Sequence, residues 1–313
     1  MRYRGLDLNL LSAFDVLMQE RSVSRAARHL NLSQPAMSAA LARLREFFGD
    51  ELLVNQGKRM YPTAFAEALV PQVRGCLHGL DAMLTTSARF DPATSQRTFR
   101  LIASDYIIAA VIVPVVEHLA RDAPGVRLEL AAPSETGEAE IAEGRADILI
   151  SPDAYVRGDH PAELLFEEPH VVVGWAENPL MRQKLSEADF MEAGHVGVRI
   201  GTDRAPAFAD RQMSTMGKVR RIEVETSSFL TIPLLLCGTP RLAVMQARLA
   251  HRMCRTYPLR SQAPPFDFPP MREMIQYHAS RSTDEGLNWL KSLIHFEADH
   301  SSIDEMDRSA SKQ

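Results

Sequence analysis

The chain has 313 residues, 45% of them hydrophobic and 24% charged, with a formal charge of −5. That balance belongs to a globular protein; it excludes a disordered, collagen-like or disulfide-stapled chain, and the length predicts about two domains. The three cysteines, Cys76, Cys237 and Cys254, lie far apart, which gives neither metal spacing nor a disulfide framework and suits a reducing cytoplasm.

The N-terminal MRYRGLDLNLL has no apolar run of signal-peptide length. The greasiest stretch, IIAAVIVPVV at 107–116, is half a membrane span and carries Pro114. No membrane partner and a cytoplasmic location are expected. Residues 1–60 hold nine Lys/Arg and six Asp/Glu, a balance of +3, against −8 for the rest, where 26 Lys/Arg meet 34 Asp/Glu. A small basic head on an acidic body predicts a polyanion partner for the head alone.

Residues 6–54 predict three helices. LDLNLLSAFDVLMQE repeats Leu6, Leu10, Phe14 and Leu17 at helical spacing. In SRAARHLNLSQPAMSAALARLRE, residues 24–46, two helices meet across a short polar connector, with Ala26, Ala27, Leu30, Leu32, Met37, Leu41 and Leu44 as core positions. Asn31 stands where the turn needs a tolerant residue, Ser33 is an N-cap, and Pro35 falls in the first turn, where a missing N–H costs nothing. This is helix–turn–helix geometry, and such a second helix, here 33–46, lays its start against base edges in the major groove. Ser33, Gln34, Pro35 and Ser38 are therefore the expected base readers: Gln34 pairs with an adenine edge, Pro35 touches a thymine methyl, and Ser38 bonds either way. Arg25, Arg28, Arg43, Arg45, Lys58 and Arg59 are the expected phosphate contacts. Two N-capped helices also occur in proteins that never meet DNA.

VNQGKRMYPT, 54–63, reads as a small hairpin around Gly57. Residues 63–87 then predict one long helix in which Leu69, Val73, Cys76, Leu80 and Met83 alternate spacings of four and three, the period of a coiled-coil seam. Pro71, Gly75 and Gly79 weaken that helix, so packing must hold it. The expectation is a dimerisation helix; the alternative is a helix laid on its own domain.

RFDPATSQR, 89–97, is a polar linker, and from Thr98 the pattern changes. TFRLIA, VRLELA and ADILIS read as strands, separated by a helix from Asp105 to Arg121 and by ETGEAEIAEGR, which argues for a parallel α/β sheet. PHVVVGW, HVGVRI, RRIEVE and RLAVMQ continue the rhythm. PLRSQAPPFDFPPMREMIQYH is extended and proline-rich, DEGLNWLKSLIHF is a last amphipathic helix, and 298–313 predicts a disordered tail.

The stretch LDLNLLSAFDVLMQERSVSRAARHLNLSQPAMSAALARLREFFGDELLV resembles the winged helix–turn–helix of LysR-type transcriptional regulators. Ala26, Ala27 and Leu30 match the motif's first helix. Ser33, Gln34, Pro35, Ser38, Leu44 and Glu46 match the second, and Pro62 and Thr63 the start of the linker helix. MRYRGLDLNLL, the FDP and SQRTFR segments, SD at 104–105 and RRIEV resemble the nodulation protein D branch, shared with regulators of aromatic and chloroaromatic degradation. The resemblance covers nearly the whole chain. It implies an N-terminal all-α winged helix–turn–helix (1–62), a long linker helix (63–90) and a C-terminal α/β periplasmic-binding-protein-like domain of two lobes (91–297). The lobes would be about 91–165 with 270–297, and about 166–269. It also implies a homodimer or homotetramer on promoter DNA, an activator working with RNA polymerase, and a small aromatic effector: a flavonoid, phenolic or chloroaromatic compound that controls nodulation-type or aromatic-degradation genes.

Two α/β lobes place a ligand cleft at the carboxyl ends of their strands. Those ends offer Ser104, Tyr106, Asp153, Ile200, Thr202, Ser227 and Phe229, with the hydroxyls holding a phenol or carboxylate and the rings stacking on an aromatic ligand. Each alone is as readily a cap or core residue; the cluster carries the expectation. His170 and His195 open strands rather than close them and read as structural or interdomain, not as ligands. No metal spacing and no cofactor motif is present, and neither G-x-S-x-G, G-x-x-x-x-G-K nor G-x-G-x-x-G supports an enzyme. A cytoplasmic enzyme or a solute-binding protein using the same cleft is the rival reading. Asp105, Asp153 and Asp203 lack a catalytic partner the sequence identifies.

Overall fold

The computed structural model describes residues 2–3, 6–56, 59–85, 90–134, 136–158, 160–201 and 203–300. The chain divides into two compact units, a head of roughly the first 88 residues and a body built from most of the rest.

In the head, α1 (Asn9–Glu20), α2 (Val23–His29) and α3 (Gln34–Phe48) surround one core. Leu10, Phe14, Leu17, Ala26, Ala27, Met37, Leu41 and Leu44 are buried in it, which is the helical-period stripe of each segment turned inward. Leu32 is an exception. It lies in the connector, 45% exposed, and is not a core residue. The connector turns at Asn31, whose φ of 53° is left-handed, a region asparagine tolerates. The Ser33 hydroxyl accepts from Ala36 N–H, so α3 starts with its cap made. A hairpin of β1 (Leu53–Gln56) and β2 (Arg59–Pro62) follows, and then α4 (Ala64–Thr85). Asp50 ties the corner together by accepting from Leu52 N–H at 2.7 Å and the Thr63 hydroxyl at 2.6 Å, and the same hydroxyl accepts from Ala66 N–H.

The start of α4 packs on the head's own core. Ala66 and Val73 are fully buried there, with Leu69, Val70 and Leu77 against them. Two residues expected in a dimer seam, Leu69 and Val73, thus serve an intrachain contact. Cys76 is exposed and Leu80 half-buried. Met83 lies on α4, and its side chain is outside the described residues. A seven-residue period does not reveal which neighbour a helix faces.

The body holds two sheets. In the first, β3 (Thr98–Ile102), β4 (Arg127–Ala131), β5 (Ile148–Pro152), β6 (Ala162–Glu168) and β12 (Met271–Gln276) lie in the order β4-β3-β5-β12-β6. The second orders β8 (Gly194–Ile200), β10 (Leu242–Gln246), β7 (His170–Trp175) and β11 (Leu259–Gln262) in sequence, with β9 (Arg221–Thr226) on β8. Neither sheet is purely parallel. β3, β4 and β5 run together, as do β8, β9 and β10, but β12 opposes β5 and β6, and β7 opposes β10 and β11. The chain passes between sheets at Pro169, immediately after β6, and returns between β11 and β12.

β6 was not expected from the sequence; Glu163, Glu167 and Glu168 break its apolar pattern, and Glu168 is nevertheless buried. The expected helix from Asp105 is three pieces: Asp105–Ile107, a π-helical stretch Ile108–Ile112, and α5 (Val113–Asp122) with Pro114 in its first turn. The last helix, α6 (Glu285–His300), runs past the expected tail boundary because Ala298 is buried; residues 301–313 lie outside the described residues.

Candidate functional site

On the head, Ser33, Gln34, Pro35 and Ser38 are all exposed and lie in the first turns of α3, while Met37, Leu41 and Leu44 on the opposite face are buried. A helix start with its cap satisfied and short polar groups facing water can lie in a groove without losing packing. The expected cations differ in how they are held. Arg28 is exposed, and no ion pair to it is seen among the described residues. Arg25 pairs with Glu20 at 3.1 Å and Arg43 with Asp7 at 3.2 Å, both on the surface, where such pairs exchange readily for another anion. Arg43 and, more strongly, Asn9 N–H hold the Asp7 carboxyl below the usual carboxylate range.

Arg45 is otherwise engaged. Its Nε donates to Glu51 O at 2.7 Å and its Nη2 to Leu53 O at 2.6 Å, so it anchors the hairpin to α3 instead of facing outward. Lys58 lies outside the described residues, and of Arg59 only the backbone, in β2, is described.

In the body, a cavity of about 470 Å³ lies between the two sheets, a size typical of small-molecule sites. Ser104, Ile200 and Phe229 line it as expected positions do. Ser104 also caps the helix behind it, accepting from Ile107 N–H. Other expected ligand contacts lie elsewhere. Tyr106 is 1% exposed and turned into the core, edge-on to Phe229 with 6.4 Å between centroids. Burial, with the Glu168 and Glu273 carboxyls beside it, pushes its phenol well above the usual value. Asp153 faces a shallower groove near Arg272, 3.7 Å away. Ser227 is exposed outside the cavity. Its neighbour Ser228 instead links the lobes, its hydroxyl donating to Asp105 at 2.6 Å. Thr202 lies outside the described residues.

Three polar residues in the cavity wall escaped the sequence reasoning. His170 and Glu273 sit at or near the starts of β7 and β12, and Gln246 at the end of β10. Because β7 opposes β10, His170 pairs with Gln246; because β12 opposes β5, Glu273 pairs with Pro152. An antiparallel strand brings its beginning to the edge where its neighbours end, so "opens a strand" does not mean "far from the cleft". His170 is therefore part of the cavity wall and not merely structural. His170 Nδ1, Gln246 Oε1 and Glu273 Oε2 are buried with no hydrogen-bond partner among the described residues. Glu138 Oε1, also in the lining, is a fourth; a buried polar atom left unpaired costs about 1–3 kcal/mol, so four of them around one cavity mark a place where something else supplies the bonds.

Charge is suppressed at this inner wall. Burial lowers His170 to about 3, with the Arg220 cation adding to it, so the ring is neutral near pH 7. Burial raises Glu273 to about 8, helped by the Glu168 and Asp153 carboxylates. His195, by contrast, is fully inside the second lobe, its Nε2 donating to Phe190 O at 2.7 Å, and has no place in the cavity. Among the described residues no group of three His, Cys, Asp or Glu is placed to hold a metal, and no helix is long and apolar enough to cross a membrane.

Comparison with known proteins gives one answer for both units. Residues 8–67 match the bacterial regulatory helix-turn-helix protein, lysR family, and residues 92–297 match the LysR substrate binding domain. Nodulation protein D 1 of Rhizobium meliloti is 42% identical over 301 residues, covering 95% of this chain and 97% of its own. Nodulation protein D 3 of the same organism is 40% identical over 298 residues, 95% of each. The crystal structure of a probable transcriptional regulator from Pseudomonas aeruginosa superposes with a TM-score of 0.65 at 31% identity, over 93% of this chain and 97% of the other. The full-length regulator CbnR, solved with its target DNA, shares the fold with a TM-score of 0.58 at 12% identity, over 95% of this chain and all of CbnR. The relatives are regulators and not enzymes, and the chain belongs to the LysR family of helix-turn-helix transcriptional regulators, alongside the nodulation D proteins.

Proposed function

We propose that the chain is a cytoplasmic activator that grips promoter DNA as a homodimer or homotetramer and raises transcription, through RNA polymerase, when a small aromatic compound fills the body's cavity. The observation that carries the DNA half is the start of α3. Ser33, Gln34, Pro35 and Ser38 form an exposed polar edge on a helix whose other face is core. CbnR, which shares the fold, was solved on its target DNA. Arg25, Arg28, Arg43, Lys58 and Arg59 serve as phosphate contacts in this reading, and Cys76, Leu80 and Met83, on the second half of α4, serve as the seam between copies.

The cavity supports the effector half. Its walls combine Phe208, Phe229, Ile200 and Met271 with a few polar groups, the mixture that holds a flat aromatic molecule and fixes its orientation. Similarity to nodulation D proteins favours a flavonoid or simpler phenolic compound and nodulation-type or aromatic-degradation genes.

Replacing Gln34 or Ser38 with Ala is expected to relax specificity at one or two base pairs, at a cost of about 1–3 kcal/mol. DNase footprints and competition binding measure this, and variant footprints identical to the parent at every base would refute the assignment of α3. A thermal-shift screen against aromatic acids, phenols and flavonoids tests the effector, since a ligand that binds the folded chain raises its melting temperature with occupancy.

A further inference from the structure

Glu273 sits on β12 in the cavity wall, 2% exposed, with Oε2 lacking any partner among the described residues. We propose that Glu273 is a specificity-determining residue of this cavity: an un-ionised carboxyl that donates a hydrogen bond to a carbonyl or hydroxyl oxygen of an uncharged aromatic ligand. The inference rests on the cavity being the effector site.

Two buried carboxyls stand near each other here, and their surroundings divide the charge between them. Glu168, on β6, accepts from Arg248 N–H and from Arg248 Nε, each at 2.8 Å. Burial raises the Glu168 carboxyl too, but the Arg248 cation and these two bonds favour its charged form, whereas Glu273 has no such partner among the described residues, so of the two it is Glu168 that takes the charge. A neighbouring carboxyl then holds its proton, as in any close pair of acids that cannot both ionise. The groups facing Glu273 agree with this. Glu168 and Asp153 both disfavour its charged form, and the Tyr106 phenol beside it is itself neutral.

Across the cavity His170 is neutral, its ring stacked on Phe208 with 6.0 Å between centroids, and Gln246 adds an amide. Arg220 is bound to Asp210, Nε to Oδ1 at 3.0 Å. Facing Glu273, His170, Gln246 and the Arg220–Asp210 pair thus offer donors and acceptors without net charge, while Glu138, Arg157, Asp203 and Arg211 line other parts of the cavity. A carboxylate end would enter beside anionic Glu168 and lose its water; a carbonyl or phenol would complete orphaned bonds. Glu273 comes from the first sheet and His170 from the second, so a ligand bonded to both ties the lobes together.

The test uses the full chain and unsubstituted flavone, which has a carbonyl acceptor and no ionisable group, with affinity read by calorimetry from pH 6.5 to 9.5. Wild-type Kd is expected to be flat up to pH 7.5 and to rise about tenfold by pH 9.5, as the donor proton is lost. Glu273→Gln keeps an N–H donor in place. Its Kd is expected to stay within about threefold of the wild-type value at pH 7 and to show no rise at high pH. Glu273→Leu, which cannot donate, is expected to bind about tenfold more weakly at every pH. Thermal melts at pH 7 establish that the variants fold. A flat wild-type profile, or the same rise in Glu273→Gln, overturns the role of Glu273 while leaving the cavity as the effector site. If flavone and the whole aromatic panel fail to bind wild type at any pH, the effector reading falls with it.

Discussion

His170 and His195 show how burial at single residues becomes a property of the whole body. Both are buried, and both have pKa values below the ordinary imidazole: His170 at about 3, chiefly through burial, and His195 at about 4, through burial and Arg220. His195 is locked neutral on both sides, its Nδ1 accepting from Arg220 Nη1 at 3.3 Å while Nε2 donates to Phe190 O. The unfolded chain, with imidazoles near 6.5, binds protons first as the pH falls. Their contribution to stability is complete above pH 6.5 and shrinks as the pH drops from there toward 3–4. Each histidine is expected to remove about 2 kcal/mol between pH 6.5 and pH 5. Urea titrations at pH 7.5 and pH 5 measure this. His170→Phe keeps a ring against Phe208 but cannot take up a proton, so it should lose about one histidine's share less than wild type over that interval. An equal loss in the two proteins would place the proton uptake elsewhere.

At the scale of elements, the hairpin depends on α3 through Arg45, whose two bonds to the carbonyls of Glu51 and Leu53 fix where β1 starts. Arg45→Ala should destabilise the head by about 2–4 kcal/mol, since two charge-assisted bonds to carbonyls are lost. Arg45→Lys should recover only part of that, because one ammonium cannot reproduce the fork. Affinity for specific and scrambled duplex should fall together, since the hairpin carries cations and no base reader. A change confined to sequence preference would contradict this. The head's helices were legible because their signals are local: apolar positions three and four apart, a serine cap, an asparagine at the left-handed turn. Strand direction has no such signal. β7 reads as a buried apolar run in either direction, and β12 lies within a segment read only as extended and proline-rich, so nothing in PHVVVGW or MREMIQ placed His170 and Glu273 at the cleft. Tyr106 misled for a related reason: the residue after a strand end was correctly located, but its side chain turns inward to Phe229. On α4 the spacing could not choose a partner: Leu69 and Val73 satisfy the head's own core with the same period a second copy would require.

The whole molecule carries its charge unevenly: the first 60 residues balance to +3 and the remainder to −8. That imbalance, an acidic remainder against a slightly basic head, predicts an affinity that depends on a small number of close phosphate contacts and not on a general attraction to polyanions. Counterion release makes those contacts countable. Each neutralised phosphate contributes about −0.9 to the slope of log K against log salt concentration on duplex DNA. With Arg25, Arg28, Arg43, Lys58 and Arg59 as the proposed phosphate contacts, up to five per head, a dimer's slope is expected near −9. Lys58→Gln removes one contact from each head and should make that slope shallower by about 2, equally on promoter and scrambled fragments. Arg21→Gln, at an exposed cation on the C-terminal cap of α1 that is not among those contacts, should change the slope much less. The two substitutions delete the same formal charge, so a general attraction between a basic head and DNA predicts equal changes, whereas placed contacts predict unequal ones. Titrations of both variants between 50 and 200 mM salt, the range over which such complexes lose most of their affinity, separate the two cases.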